Sequence, residues 1–232
     1  MLKFIIGFER NAAMSRPQCH DHLRNVHGPL VKSVPDFTRY VRGYVQNYAQ
    51  DELPDFARDF VADGAAELWF DSAEEFVKAY SEPLYLRDIR PDEANFTNPG
   101  RYVASFTNET SIWNDGTEAA IKLMRFLPAA DNVTATAARR AWNDGHAETL
   151  AGNTAFRSIA RRYVQNWSIP ASDNPFPLAQ AFPVVEEFWV AERADATALL
   201  QLERELLVDR DYAGLLQSDR AVCLLATEGV IL

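Results

Sequence analysis

Three histidines crowd one short stretch: His20, His22 and His27, the last inside His22-Leu23-Arg24-Asn25-Val26-His27-Gly28-Pro29-Leu30. An imidazole changes charge near neutrality, so each is a candidate for general acid or base work. His27 is the leading one. The alternative for it is a histidine that ends a helix and caps its carbonyls, because proline disfavours helical geometry in the residue before it. The His-x-His-x4-His spacing also suggests a metal. On a helix, however, residues two apart point in roughly opposite directions, so His20 and His22 cannot face one ion, and no metal is expected. His22 stays a candidate second member of the acid–base site.

The same pattern recurs. Moving 119 residues on from His27 reaches His146, and the same step carries Tyr44-Val45-Gln46-Asn47 onto Tyr163-Val164-Gln165-Asn166. Phe37 and Arg42 recur as Phe156 and Arg161. Seven identities in so short a window mark an internal duplication of a domain-sized unit, too long for a solenoid repeat. His146 is therefore the second copy's candidate catalytic histidine, with capping as its alternative.

The repeated Tyr-Val-Gln-Asn run reads as a strand. Alternation puts Tyr44, Gln46 and Tyr48 on one face and Val45 and Asn47 on the other, with the same split at Tyr163, Gln165 and Trp167 against Val164 and Asn166. Tyr44 and Tyr163 either pack in the core or turn a hydroxyl to a cavity. Asn47 and Asn166 either hold a neighbouring loop or orient a substrate. Glu67 and Glu187 sit mid-strand among apolar residues, as buried acids or, the preferred expectation, as partners of Arg42 and Arg161. Among the tryptophans, Trp69 and Trp142 are candidates to line a pocket for an aromatic ligand.

These side chains must be carried on regular elements. Leu2–Phe8 reads as a strand apolar on both faces. Ser15 caps a helix with Pro17 in its first turn, running through Cys19, Leu23 and Val26 to end near His27. Strands follow at 39–48, 65–70 and 102–106. A helix over 73–80 is capped by Asp71 or Ser72, and a polar loop spans 50–63. The second half repeats the order: strands at 120–126, 159–167, 184–190 and 221–227, with helices at 134–144 and 194–206. A Pro-rich loop fills 168–183, and residues 108–117 read as a short polar link. Strand, helix, strand, strand, helix, strand is the ferredoxin-like (βαββαβ) unit. The expected domains are 1–112 and 118–232, packed together within an α+β fold.

Composition narrows the function. The chain has 232 residues and 47% hydrophobic content, enough for a full core. A formal charge of −10 argues against nucleic acid and anionic membrane surfaces, both of which attract basic patches. Cys19 and Cys223 lie in different halves and suggest no disulfide framework. The apolar run at the N-terminus stops at Glu9-Arg10, too short for a signal or membrane segment, so the expected location is cytoplasmic. Phosphate-binding glycine loops, a Gly-x-Ser-x-Gly elbow and Cys-x-x-Cys pairs are absent from the sequence.

His27-Gly28-Pro29-Leu30-Val31, then a proline, then Tyr44-Val45-Gln46-Asn47 resembles the EthD family. Trp142-Asn143-Asp144-Gly145-His146 ahead of Tyr163-Val164-Gln165-Asn166 resembles it too, since members often carry a Trp four residues before the His. Leu23 replaces that Trp in the first copy, and Glu148-Thr149 replaces Pro-Leu in the second, so the two potential sites are not equivalent. The resemblance implies a dimeric α+β barrel, here closed within one chain. Its superfamily holds cofactor-free isomerases, dehydratases, decarboxylases and monooxygenases as well as haem enzymes. The expectation is a lyase or isomerase working without a cofactor on a small cyclic or aromatic metabolite. His27 would be base or acid, and Tyr44 and Asn47 would orient the substrate. A cofactor-free or haem-dependent oxidoreductase and a non-catalytic ligand-binding protein are the alternatives, and a homodimer is possible because related barrels often assemble again.

Overall fold

The computed structural model describes residues 1–50, 62–131, 133–175, 182–208, 210, 214–217 and 220–232. Eight strands carry the architecture: β1 (Leu2–Arg10), β2 (Val41–Ala49), β3 (Gly64–Phe70), β4 (Thr97–Asn114), β5 (Ile121–Leu127), β6 (Ala160–Ser168), β7 (Val184–Val190) and β8 (Val222–Val230). They close into an antiparallel barrel in the order β1-β3-β2-β8-β5-β7-β6-β4. Strands from each half stay together, as β4-β1-β3-β2 and β8-β5-β7-β6, and the pairs β2·β8 and β4·β6 seal the two groups. Closure leaves no free sheet edge.

The first helix differs from its expected end. Ser15 caps α1 (Arg16–His22) with a full capping box, as the sequence predicts. The chain then widens into a π turn (Leu23–His27), in which the Gly28 N–H donates to the Leu23 carbonyl, and continues as α2 (Gly28–Lys32). His27 therefore lies inside a continuous helix. Pro29 lacks an N–H and crowds the carbonyl four residues back; the wider turn moves that carbonyl aside. The same device recurs before Pro91, where a π turn (Tyr85–Ile89) runs into the helix Arg90–Phe96. That helix falls where the Pro- and Asp-rich composition reads as a connection.

Short α3 (Pro35–Thr38) leads into β2, and α4 (Ala73–Ser81) is capped by Ser72. The helix Arg90–Phe96 is α5. In the second half α6 (Ala135–Ala141) passes through a π turn (Trp142–Ala147) into α7 (Glu148–Gly152). Then follow α8 (Thr154–Ile159) and α9 (Arg193–Leu207). The expected link at 108–117 is corrected: β4 continues to Asn114, pairing with β1 at its start and with β6 at its end. Most of the polar loop at 50–63 and the middle of the loop at 168–183 fall outside the described residues.

Alternation divides each strand between two cores. Phe4, Tyr44, Leu68 and Phe106 pack under the first half's helices with Val31, Phe37, Phe76 and Tyr85. Ile5, Ala65, Met124, Phe126, Val185 and Leu224 face the barrel interior, where both halves meet. This interior also buries Lys3, Glu67, Lys122 and Glu187. Lys3 Nζ lies 2.7 Å from Glu67 and 2.8 Å from Glu187, and Lys122 pairs with the same two carboxylates. The expected partners Arg42 and Arg161 instead meet Asp71 and Asp115 on the surface, because the lysines share the inward face and the arginines do not.

Candidate active site

Between the first half's sheet and helices lies a cavity of about 610 Å³, within the range of small-molecule sites. Its walls are aromatic: Phe4, Phe37, Phe76, Tyr80, Tyr85 and Phe96 all face it. The first half's two π turns contribute their first and last residues, Leu23 with His27 and Tyr85 with Ile89. His27 Nδ1 meets Asp92 Oδ2 at 2.9 Å, and His22 Nε2 meets Asp92 Oδ1 at 2.9 Å. Asn95 Nδ2 donates to the same Oδ1 at 3.0 Å. The hydrogen bond from His27 holds the Asp92 carboxyl well below the usual carboxylate range. An ionised Asp92 only accepts, so His27 donates to it from Nδ1, and the neutral form of the ring has its lone pair on Nε2. Phe96 packs edge-on against the His27 ring, with centroids 4.7 Å apart. The carboxylate and this ring fix the imidazole from one helix, α5.

A close approach favours glycine at position 28. A Cβ there would stand 3.2 Å from the Leu23 carbonyl oxygen and 3.3 Å from Gln46 Nε2. Gln46 is one link of a chain across β2: the Tyr48 hydroxyl donates to its Oε1 at 2.8 Å, and its Nε2 donates to the Tyr44 hydroxyl oxygen at 3.0 Å. Burial pushes the Tyr44 phenol up, so it stays protonated. Among the described residues its proton has no acceptor, and the ring lines the cavity.

The second half keeps this chain and fills the space around it. Trp167 Nε1 donates to Gln165 Oε1, Gln165 Nε2 donates to the Tyr163 hydroxyl, and that hydroxyl donates to Glu186 Oε1. Arg125 and Glu186 stand where the first half has Ile6 and Ala66, facing each other across β5 and β7 as those two do across β1 and β3. Arg125 also pairs with Glu203 of α9. Trp142, which replaces Leu23, stacks on His146 at 4.0 Å and donates to Glu186. His146 meets Tyr163 through Nδ1 and Glu203 through Nε2. All these side chains are buried. His146, Glu186 and Glu203 could together ligate a metal by spacing. The Arg125 guanidinium occupies the cation's place between the two carboxylates, and both ring nitrogens of His146 are engaged.

The candidates thus separate into three groups. His27, His22 and Tyr44 gather at the cavity or on the carboxylate that orients it. His146, Trp142 and Tyr163 form the filled second-half network. Asn47, Asn166 and Trp69 belong to the inward-facing surface: Asn47 donates to Glu67, Asn166 to the Val185 carbonyl, and Trp69 lies under Lys3. They do not reach the His27 cavity. His20 turns away from His22 to the Asp63 carbonyl, as the helix argument requires. Sequence reasoning missed Asp92 and Glu93. The signal available was Pro91 followed by two acids, which suits a helix start.

The sequence model of the EthD domain matches residues 11–100, the stretch that carries α1 to α5 with His22, His27, Tyr44, Asp92 and Glu93. No curated protein gives a significant match to the chain. Among solved structures, an anthrone oxidase-like protein superposes with a TM-score of 0.67 at 12% identity, covering 99% of this chain and 93% of that one. A mutant chlorite dismutase from Candidatus Nitrospira defluvii, in complex with cyanide, gives 0.56 at 10% identity, covering 99% and 91%. At such identities the likeness is one of fold, and that fold is the dimeric α+β barrel.

Proposed function

We propose that this protein is a cofactor-independent enzyme that moves protons on a small cyclic or aromatic compound, as an isomerase or lyase. The observation that carries it is His27 Nδ1 held 2.9 Å from Asp92 at the wall of an aromatic cavity. His27 Nε2 is the general base, Asp92 positions it, His22 shares the carboxylate, and Tyr44 donates to the substrate oxygen as charge develops there. Chain segments 1–112 and 118–232 are two ferredoxin-like halves, each with its strands ordered fourth, first, third, second. Only the first half works as a site; His146, Trp142 and Tyr163 stabilise the second. Asn47, Asn166 and Trp69 hold the barrel together rather than bind substrate.

Exchange of the anthrone methylene hydrogens in D₂O, followed by proton NMR, tests the base. His27→Ala should slow enzyme-dependent exchange by roughly 10²- to 10⁴-fold. Equal exchange by wild type and variant would reject the assignment.

Oxidation is the second reading. A ketone deprotonated in an apolar cavity is also the entry to reaction with dioxygen, and the solved structure with the 0.67 superposition is that of an anthrone oxidase-like protein. Oxygen uptake with anthrone would favour it, and a Soret band in the purified protein would point to haem. No helix among the described residues is long and apolar enough to cross a membrane.

A further inference from the structure

Glu93 is an acid that the proposed base chemistry leaves unused. It lines the cavity on α5, one residue after Asp92. The Tyr85 hydroxyl donates to its Oε1 at 2.8 Å. Among the described residues, Oε2 has no hydrogen bond and the carboxyl has no ion pair within 4 Å. Burial pushes the carboxyl above the usual carboxylate range, against the Tyr85 hydrogen bond and the nearby charges of His27 and Arg90; the neighbouring Asp92 charge adds to the rise. Tyr44 of β2 and Tyr80 of α4 also face it, and both stay protonated because they are buried.

We propose that Glu93, protonated on Oε2, joins Tyr44 as a second donor to one substrate oxygen, which makes the substrate class a flat, neutral, enolisable aromatic ketone. This rests on the reading of His27 as base. Tyr44 and Glu93 influence each other electrostatically across the cavity, and neither proton is committed to a protein acceptor. In the step itself, a carbon beside the carbonyl gives its proton to His27 Nε2. The C–H electron pair becomes the new C=C bond, and the carbonyl π pair moves onto oxygen. Two hydrogen bonds meet that charge against the aromatic walls, as a phenol and a neutral carboxylic acid do in other proton-transfer sites. His27 then returns the proton to the same or a conjugated carbon. Two neutral donors suit an uncharged carbonyl oxygen, and the aromatic walls suit fused rings.

The probe is 9-fluorenone, a flat ketone that accepts hydrogen bonds, donates none and has no hydrogen to lose. Its affinity should fall roughly tenfold as rising pH ionises Glu93, since a donor becomes a repelling carboxylate. The carbonyl stretch of the bound probe should move to higher frequency over the same range. Glu93→Gln, whose amide N–H is insensitive to pH, should flatten both curves, while His27→Gln should keep the fall and move its midpoint to higher pH, because a nearby positive charge is lost. Tyr85→Phe should shift the midpoint to higher pH, because it removes a hydrogen bond that favours the ionised form; a merely structural Glu93 would leave the midpoint in place. Failure of fluorenone to bind, a pH-independent wild type, or the same fall in Glu93→Gln would each overturn the proposal. Fluorenone needs no base, so these outcomes are independent of the anthrone test of His27.

Discussion

Tyr44 and Tyr163 hold the same position of the repeat and receive the same hydrogen bond from a glutamine, yet among the described residues only Tyr163 has a protein acceptor for its own proton. Ala66 stands where Glu186 would take that proton from Tyr44. Substituting phenylalanine should therefore separate the two halves. Tyr44→Phe should lower turnover of an enolisable substrate by roughly 10²- to 10³-fold with little change in melting temperature. Tyr163→Phe should leave turnover near wild type and cost about 1.5–3 kcal/mol of stability, because a hydrogen bond to a buried carboxylate is lost. Steady-state kinetics beside denaturant melts reads both.

Asp92→Asn should reduce turnover by roughly 10²- to 10⁴-fold, although Asn has nearly the same shape. An amide can turn its NH₂ toward the ring and favour the tautomer with the proton on Nε2, which removes the base. Nitrogen-15 shifts of His27 should report a proton on Nδ1 in the native protein and a move toward Nε2 in the variant. An unchanged tautomer with unchanged rate would remove Asp92 from the mechanism.

Arg125→Met should destabilise the protein by about 3–5 kcal/mol at neutral pH, because it strands Glu186 and Glu203 as buried charges. Burial alone would raise Glu203, but the Arg125 guanidinium and His146 hold it down to about 2. The unfolded value is near 4.3, so the folded state binds fewer protons between these limits. The stability from this pairing is full above about pH 5 and drains as pH falls toward 2. The cost of Arg125→Met should shrink over the same acid range.

The barrel interior predicts the opposite slope. Burial, with Glu67 beside it, pushes Glu187 up to about 7 despite the two lysines. Here the folded state binds the extra proton, so stability should fall as pH rises from about 4.5 through 7. Glu187→Gln should flatten thermal melts between pH 5 and 8. Persistence of the slope in that variant would assign it elsewhere.

Much of this was legible in the chain. The 119-residue repeat and the strand alternation anticipated two similar strand groups and the shared face of Tyr44, Gln46 and Tyr48. Ser15 and Ser72 cap the helices their chemistry suits. Periodicity could not show that a helix survives Gly28-Pro29, because the compensation is a widened turn rather than a residue type. Asp92 stayed hidden because its partners lie 65 and 70 residues away. Lys3 and Lys122 were missed as partners for the buried glutamates because strand register, not local sequence, sets them side by side.

Strand β4 gives the two halves an unusual dependence. It leaves the first half's sheet and ends against β6, so the junction is woven into the wall rather than strung between globules. Cutting the peptide bond after Gly116, in the exposed turn beyond β4, would leave two fragments, each with unpaired sealing strands and an inward lysine–glutamate pair stripped of its partners from the other half. Neither should be soluble alone, whereas co-expression should rebuild the barrel as a noncovalent heterodimer. The covalent link would then matter for fixing which half meets which, sparing an asymmetric enzyme from pairing two plugged halves together.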